Sequence, residues 1–172
     1  MLDTSQIETH TLSVLVDNEP GVLARVVGLF SGRGYNIESL TVSEVDNAKK
    51  TSRISVVTSG TPMVIEQIKK LLERQVPVHQ VRDLTLTVAH VERELALVKI
   101  INSGNRRIEA LRVADSFRAR TLDSTLDSFV FEVTGNSSKV SAFVELMRSL
   151  GDIEVARTGV CGITRGNQLD LS

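Results

Sequence analysis

One six-element pattern is written twice along this chain, and that repetition limits the available folds more than any other feature. In the first copy, residues 11–17 alternate, with Leu12, Val14 and Val16 on one face, as a half-buried strand requires. Asn18-Glu19-Pro20-Gly21 breaks the alternation, and Val22, Leu23, Val26, Val27 and Phe30 then recur at helical spacing. Asn18 is a good capping type and Pro20 suits a first helical turn, while Gly32 and Gly34 can end the helix. Residues 36–44 and 53–58 read as two strands joined by the polar turn Asp46-Asn47-Ala48-Lys49-Lys50. Thr61-Pro62 opens a second helix, whose stripe is Val64, Ile68, Leu71 and Leu72. Residues 76–84 form the fourth strand. After the passage through His90-Val91-Glu92 the order repeats: a strand at 95–101, then a helix marked by Ile108, Leu111, Ala114 and Phe117. A short strand at 120–122 and an alternating one through Phe129, Phe131 and Val133 follow. Ser137 or Ser138 caps a helix carrying Val140, Phe143, Val144, Met147 and Leu150, closed by Gly151, and residues 153–157 are the last strand.

Strand, helix, strand, strand, helix, strand is the split βαβ pattern of the ferredoxin-like fold, a four-stranded antiparallel sheet with two helices on one face. The copies are offset by roughly 80 residues, longer than a solenoid period. The expected architecture is therefore α+β, two tandem ferredoxin-like (βαββαβ) domains. The boundaries are a tail at 1–9, a first domain at 10–84, a connector at 85–92, a second domain at 93–165 and a tail at 166–172. Leu15 and Val57 lie opposite the main apolar stripes, so the second face of the first sheet is expected to meet another domain or chain.

Composition removes several function classes. The 172 residues carry 20 Lys+Arg and 21 Asp+Glu, a net charge of -1, which supplies no field for nucleic acid. Trp is absent, and the strands at 12–17 and 53–58 hold no aromatic on which a base could stack. Apolar runs are too short to span a bilayer, and the first six residues lack the regions of a signal peptide, so a cytoplasmic protein is expected. Asn136-Ser137-Ser138 matches a glycosylation sequon, read as accidental in that compartment. Cys161, the only cysteine, is expected to be a buried inert thiol. His10, His79 and His90 show no zinc-ligand spacing, and Asp123 and Asp127 read as turn residues rather than an acid/base pair. Gly28-Leu29-Phe30-Ser31-Gly32-Arg33-Gly34 lacks the ending of a phosphate loop. No acid, base or nucleophile converges, which argues against an enzyme, and no metal or cofactor is assigned to this chain.

The informative segment is Asp17-Asn18-Glu19-Pro20-Gly21-Val22-Leu23, between the first strand and the first helix. The first free N–H groups of a helix favour an anion, and Gly21 lets it approach the backbone. Asn18 offers both an acceptor and a donor. A free α-amino acid needs this combination, donors for its carboxylate and an oxygen for its ammonium. Asn36 adds a polar contact and Ile37 an apolar wall. The corresponding loop of the second copy, Asn102-Ser103-Gly104-Asn105-Arg106, has no Pro-Gly step, which points any ligand site to the first copy. The arginines Arg106, Arg107, Arg112, Arg118 and Arg120 read either as a solvated face or as a docking surface for an acidic patch.

The run from Leu12 through Asp17-Asn18-Glu19-Pro20-Gly21-Val22-Leu23 to Val26 resembles the start of an ACT domain, a small-molecule sensing module. Phe30-Ser31-Gly32-Arg33-Gly34-Tyr35-Asn36-Ile37-Glu38-Ser39-Leu40-Thr41-Val42 is more specific and resembles the small, regulatory subunit of acetolactate synthase, also called acetohydroxyacid synthase. Ala89-His90-Val91-Glu92-Arg93-Glu94-Leu95 and Glu154-Val155-Ala156-Arg157-Thr158-Gly159 fit the same family. The resemblance implies a non-catalytic subunit with two partners. One is a large catalytic subunit carrying thiamine diphosphate, Mg2+ and FAD, which it activates; the other is a second copy of itself, paired through ACT domains. It also implies feedback inhibition by valine or another branched-chain amino acid. Carried over residue by residue, Asn18, Gly21, Val22 and Leu23 of one chain face Asn36 and Ile37 of its mate around that effector. Pro20 stands where some relatives carry another residue and should stiffen the loop. Without the partner enzyme, the same features describe a free-standing ACT-type amino-acid sensor acting on a different enzyme or a transcription factor.

Overall fold

The computed structural model describes residues 6–87 and 89–167. Of the expected tails and connector, residues 1–5, Val88 and residues 168–172 lie outside the described residues. The first copy runs β1 (Glu8–Asp17), α1 (Val22–Arg33), β2 (Ser39–Asp46), β3 (Thr51–Gly60), α2 (Pro62–Glu73) and β4 (Val78–Asp83). A single helical turn, α3 (Leu84–Thr87), follows. The second copy runs β5 (His90–Ile101), α4 (Asn105–Ser116), β6 (Arg120–Ser124), β7 (Ser128–Gly135), α5 (Ser137–Leu150) and β8 (Asp152–Arg157), and then β9 (Cys161–Thr164). The chain divides into two compact units, one through Val91 that also takes in the segment from Val160 on, the other Glu92–Gly159. The sequence reading carries the second domain to residue 165, whereas its compact unit closes at Gly159.

In the first unit the strand order is β2-β3-β1-β4, all antiparallel. Register puts Leu12, Val14, Val16, Ile54 and Val56 on one face, where they pack with Val22, Val26, Leu29 and Phe30 of α1 and Ile65, Ile68 and Leu72 of α2. Thr61 caps α2, its hydroxyl accepting from Val64 N–H, with Pro62 in the first turn as the sequence predicts. His10 is buried under the same helices, and its Nδ1 lies 2.8 Å from Asp83 Oδ2. On the opposite face Leu15 and Val57 are only 5% and 8% exposed. Part of their cover is the chain's own: Val160 N–H donates to Ser39 Oγ at 2.8 Å, and Thr41 Oγ1 donates to Val160 C=O at 3.2 Å. Ser39 pairs with Val57 in the ladder, so Val160 sits over that face. β9 pairs with β5, and Arg165 N–H donates to Ala89 C=O at 2.8 Å.

In the second unit the order is β6-β7-β5-β8, again antiparallel. Ala96, Val98, Ile100, Phe129, Phe131 and Val133 pack against Val140, Phe143, Val144 and Met147 of α5. Three local expectations need correction. Asn136, not Ser137 or Ser138, caps α5, accepting from Lys139 N–H at 2.9 Å. α4 turns Ala110 and Ala114 into the second core and leaves Ile108 and Leu111 54% and 42% exposed. Its bulkiest residues do not mark its buried face, because small residues let the helix pack close to its neighbours, α5 above all. Cys161 is exposed, because β9 turns Gly162 inward in its place.

Candidate functional site

The expected ligand loop is built by a turn. Val22 N–H reaches Glu19 C=O at 3.4 Å, and Gly21 has φ 86° and ψ -8°. Those angles are the third position of a type II turn, for which Pro followed by Gly is the natural pair. Pro20 therefore shapes the turn before α1 rather than entering the helix, and Asn18 is not its cap. Gly21 occupies the cap position with no side chain bonded to the helix start. Arg25 N–H makes the first helical bond, to Gly21 C=O at 3.0 Å, so helix geometry leaves the Leu23 and Ala24 amides without an intrahelical acceptor. A Cβ at Gly21 would meet nothing within 4 Å, so the approach to these amides is open. Val22 is buried in the core, whereas Leu23 is 41% exposed beside the opening.

Neighbours that the sequence reading did not assign to the site hold the loop. Asn18 N–H donates to Lys50 C=O at 2.7 Å, and Asp17 N–H to Pro77 C=O at 3.1 Å. His79 Nε2 lies 2.5 Å from Asp17 Oδ1, and the Arg25 guanidinium donates to Val76 C=O at 2.8 Å. The loop is thus fastened to both the β2–β3 turn and the approach to β4. These links join residues 32 to 62 positions apart, which is why no local motif signals them.

Asn36 and Ile37 sit at the other end of α1. Asn36 C=O accepts from Thr58 Oγ1 at 2.6 Å while its side chain stays exposed, and Ile37 is half-buried against the first core. Twelve helical residues span roughly 18 Å, so within one chain the two groups are too far apart for one small molecule. The structure brings Asn18, Gly21, Val22 and Leu23 together and does not bring Asn36 and Ile37 to them.

In the second unit, Arg107 leaves the proposed basic face: its guanidinium lies 3.7 Å from the Phe129 ring centroid and donates to Ser124 Oγ at 3.2 Å and to Thr125 C=O. Arg112 pairs with Glu109 at 3.3 Å and Arg120 with Glu132 at 3.5 Å, on the surface. The two family-like runs of this unit meet each other. The Arg157 guanidinium grips Glu94 through two bonds of 2.7 Å, and Thr158 N–H donates to Leu95 C=O at 3.0 Å. The Arg157 bonds hold the nearly buried Glu94 carboxyl below the usual carboxylate range, against the opposing effect of desolvation. This pairing joins the start of β5 to the end of β8. Neither a cavity of about 290 Å3 lined by Glu73, Val78, His79, Gln80 and Val81 nor one of about 360 Å3 at the β5–α4 loop is lined by the Gly21 turn. Among the described residues, no cluster of His, Cys, Asp or Glu is placed to hold a metal ion, and no helix is long and apolar enough to cross a membrane.

An antiparallel four-stranded sheet under two helices, traced in the order βαββαβ, defines each unit as a ferredoxin-like α+β domain. Comparison with known proteins makes the assignment specific. The family model described as an AHAS small subunit-like ACT domain matches residues 12–80, and that described as the small subunit of acetolactate synthase matches residues 93–166. A probable acetolactate synthase small subunit from Archaeoglobus fulgidus is 46% identical over 159 residues, covering 92% of this chain and 98% of the relative. The acetolactate synthase isozyme 3 small subunit of Escherichia coli is also 46% identical over 159 residues, covering 92% and 96%. The crystal structure of the acetolactate synthase small subunit from Thermotoga maritima superposes with a TM-score of 0.83 at 36% identity, covering 94% of this chain and 99% of that one. The chain belongs to the acetolactate synthase small subunit family, and its first unit carries that family's ACT domain.

Proposed function

We propose that this chain is the regulatory, non-catalytic subunit of acetolactate synthase in branched-chain amino acid biosynthesis, acting in the cytoplasm. Its partner is a large catalytic subunit that carries thiamine diphosphate, Mg2+ and FAD, and it raises that subunit's activity. Residues 10–84 pair with those of a second chain and bind valine or another branched-chain amino acid at the seam, and residues 93–165 relay the effect. The observation that carries this reading is the opening of α1 on Gly21, with uncapped amides at the end of a fastened loop. Those amides suit the effector's carboxylate, the Asn18 side chain its ammonium, and the exposed Leu23 its branched chain. The place of Asn36 and Ile37 at the far end of α1, roughly 18 Å along the helix from the loop, supports a two-chain site, in which the mate's Asn36 and Ile37 complete the wall. An effector shifts an equilibrium only by its differential affinity for the two states. Millimolar to micromolar binding is about -4 to -8 kcal/mol, of which about 1–3 kcal/mol becomes coupling.

The test is reconstitution with an acetolactate synthase large subunit, assayed with and without valine. The wild-type chain should stimulate and should lower activity as valine is added. Gly21→Asp places a carboxylate where the effector's must sit; it should keep the stimulation and abolish the inhibition. Gly21→Ala controls for the strain of a side chain at φ 86° and should leave the inhibition in place, though weakened. A Gly21→Asp chain that remains fully inhibitable contradicts the site. A wild-type chain that gives no stimulation returns the free-standing sensor of another enzyme or a transcription factor.

A further inference from the structure

The second unit contains a cavity of about 360 Å3 where the end of β5, the first turn of α4 and the α5–β8 junction converge. We propose that it is a separate binding site for a small free α-amino acid, held as its zwitterion. The proposal is independent of the reading of the Gly21 loop.

Asn102 is the observation that calls for a ligand. It lines the cavity, is only 8% exposed, and its Oδ1 is buried without a hydrogen-bond partner among the described residues. Its Nδ2 donates to Arg106 C=O at 3.2 Å, which identifies the other end of the amide as the oxygen. The orphan atom is therefore an acceptor, and a buried acceptor without a donor is costly. A ligand N–H entering the cavity supplies the missing donor after a small rotation of the amide.

The opposite charge is provided for beside it. α4 starts on Gly104, whose φ 61° and ψ -138° only glycine adopts readily, and no side chain caps the helix. Arg107 N–H is bonded to Gly104 C=O, so helix geometry leaves the amides of Asn105 and Arg106 without an intrahelical acceptor. These amides and the exposed Arg106 guanidinium favour an anion. Asp152 contributes a carboxylate on the far wall, and Ile101 and Leu150 contribute apolar surface. Gly151 lets that wall come close, because a Cβ there would meet Ile101 O at 2.4 Å. A simple anion would be repelled by Asp152, and a simple cation by Arg106 and the helix start. A zwitterion satisfies both ends, and the cavity is large enough for a small one.

The experiment follows backbone and Asn side-chain amide resonances of the full 15N-labelled chain during titration with glycine, L-alanine and L-valine, with acetate and methylammonium as single-charge probes. The amino acids should shift the Asn105 and Arg106 amides and the Asn102 side-chain amide, and the single-charge probes should not. Arg106→Ala and Asp152→Asn, both at exposed positions, should each weaken those shifts about tenfold while leaving shifts at Leu23 and Ala24 unchanged. Second-unit resonances that stay still with all three amino acids, or move as far with acetate alone, overturn the proposal. Because the two loops are read by different resonances, failure here is distinguishable from failure at Gly21.

Discussion

The two helix openings, at Gly21 and at Gly104, share a backbone device and differ in what surrounds it. Both put a positive-φ glycine before the helix with no side-chain cap. The first is framed by a Pro-Gly turn and opens outward beside an exposed Leu23; the second borders an open cavity whose lining includes Asn102, with its buried orphan oxygen. Read as sequence, the missing Pro-Gly step removes the second loop from consideration. In three dimensions the capacity to receive an anion depends on backbone angles and uncapped amides, and Ser103-Gly104-Asn105 supplies these without proline.

The largest expected effects test whether the two units are held by comparable cores. Leu72→Ala in the first and Phe143→Ala in the second, both fully buried, should each cost about 3–5 kcal/mol in urea unfolding of the full chain. A loss below about 1 kcal/mol in either would break the comparison. Next, Glu94→Gln removes a charge-assisted pair that belongs to the second unit alone. It should cost about 2–3 kcal/mol, less than the ~3–5 kcal/mol of breaking a fully buried pair because Arg157 is 37% exposed. The same pair gives a pH signature. The folded Glu94 pKa is depressed, so its contribution is present above the unfolded carboxylate pKa and is lost as pH falls through the lower folded value. Glu94→Gln should flatten that acid-side loss in a stability profile, and an unchanged slope would remove Glu94 as its source.

Smaller effects sharpen the contrast between the glycines. Gly104→Ala should cost about 2 kcal/mol, because φ 61° with ψ -138° is nearly closed to side chains; Gly21→Ala, in the ordinary left-handed region, should cost about 1 kcal/mol. Equal losses in thermal melts would deny the backbone difference. On the same scale as Gly21→Ala, Thr61→Ala and Asn136→Ala each remove one helix cap and should cost about 1 kcal/mol by the same measurement.

Element order, sheet faces and the core of α5 are legible because they follow local periodicity: Val140, Phe143, Val144 and Met147 are buried as spaced. The Thr61-Pro62 start is legible for the same reason, being contained in two adjacent residues. What escapes depends on partners distant in sequence or on side-chain size. The buried face of α4 is hidden because Ala110 and Ala114 carry weak apolar signals beside Ile108 and Leu111. β9 escapes because a four-residue strand is specified by the Ala89 backbone it lies beside. The resemblance names Gly21 and Asn36 together, but the chain alone places them at opposite ends of α1. The links from Asp17 to His79 and from Arg25 to Val76 join β1 and α1 to the approach and body of β4, and no motif spells them.

The central claim is that bare amides at the start of α1 hold an amino acid across two chains. A crystal structure of the chain grown with L-valine tests it directly. The account predicts density for the ligand carboxylate against the Leu23 and Ala24 amides, with Asn36 and Ile37 of a second chain closing the far side. A valine-saturated crystal in which this opening is empty, or filled by protein side chains, would contradict it.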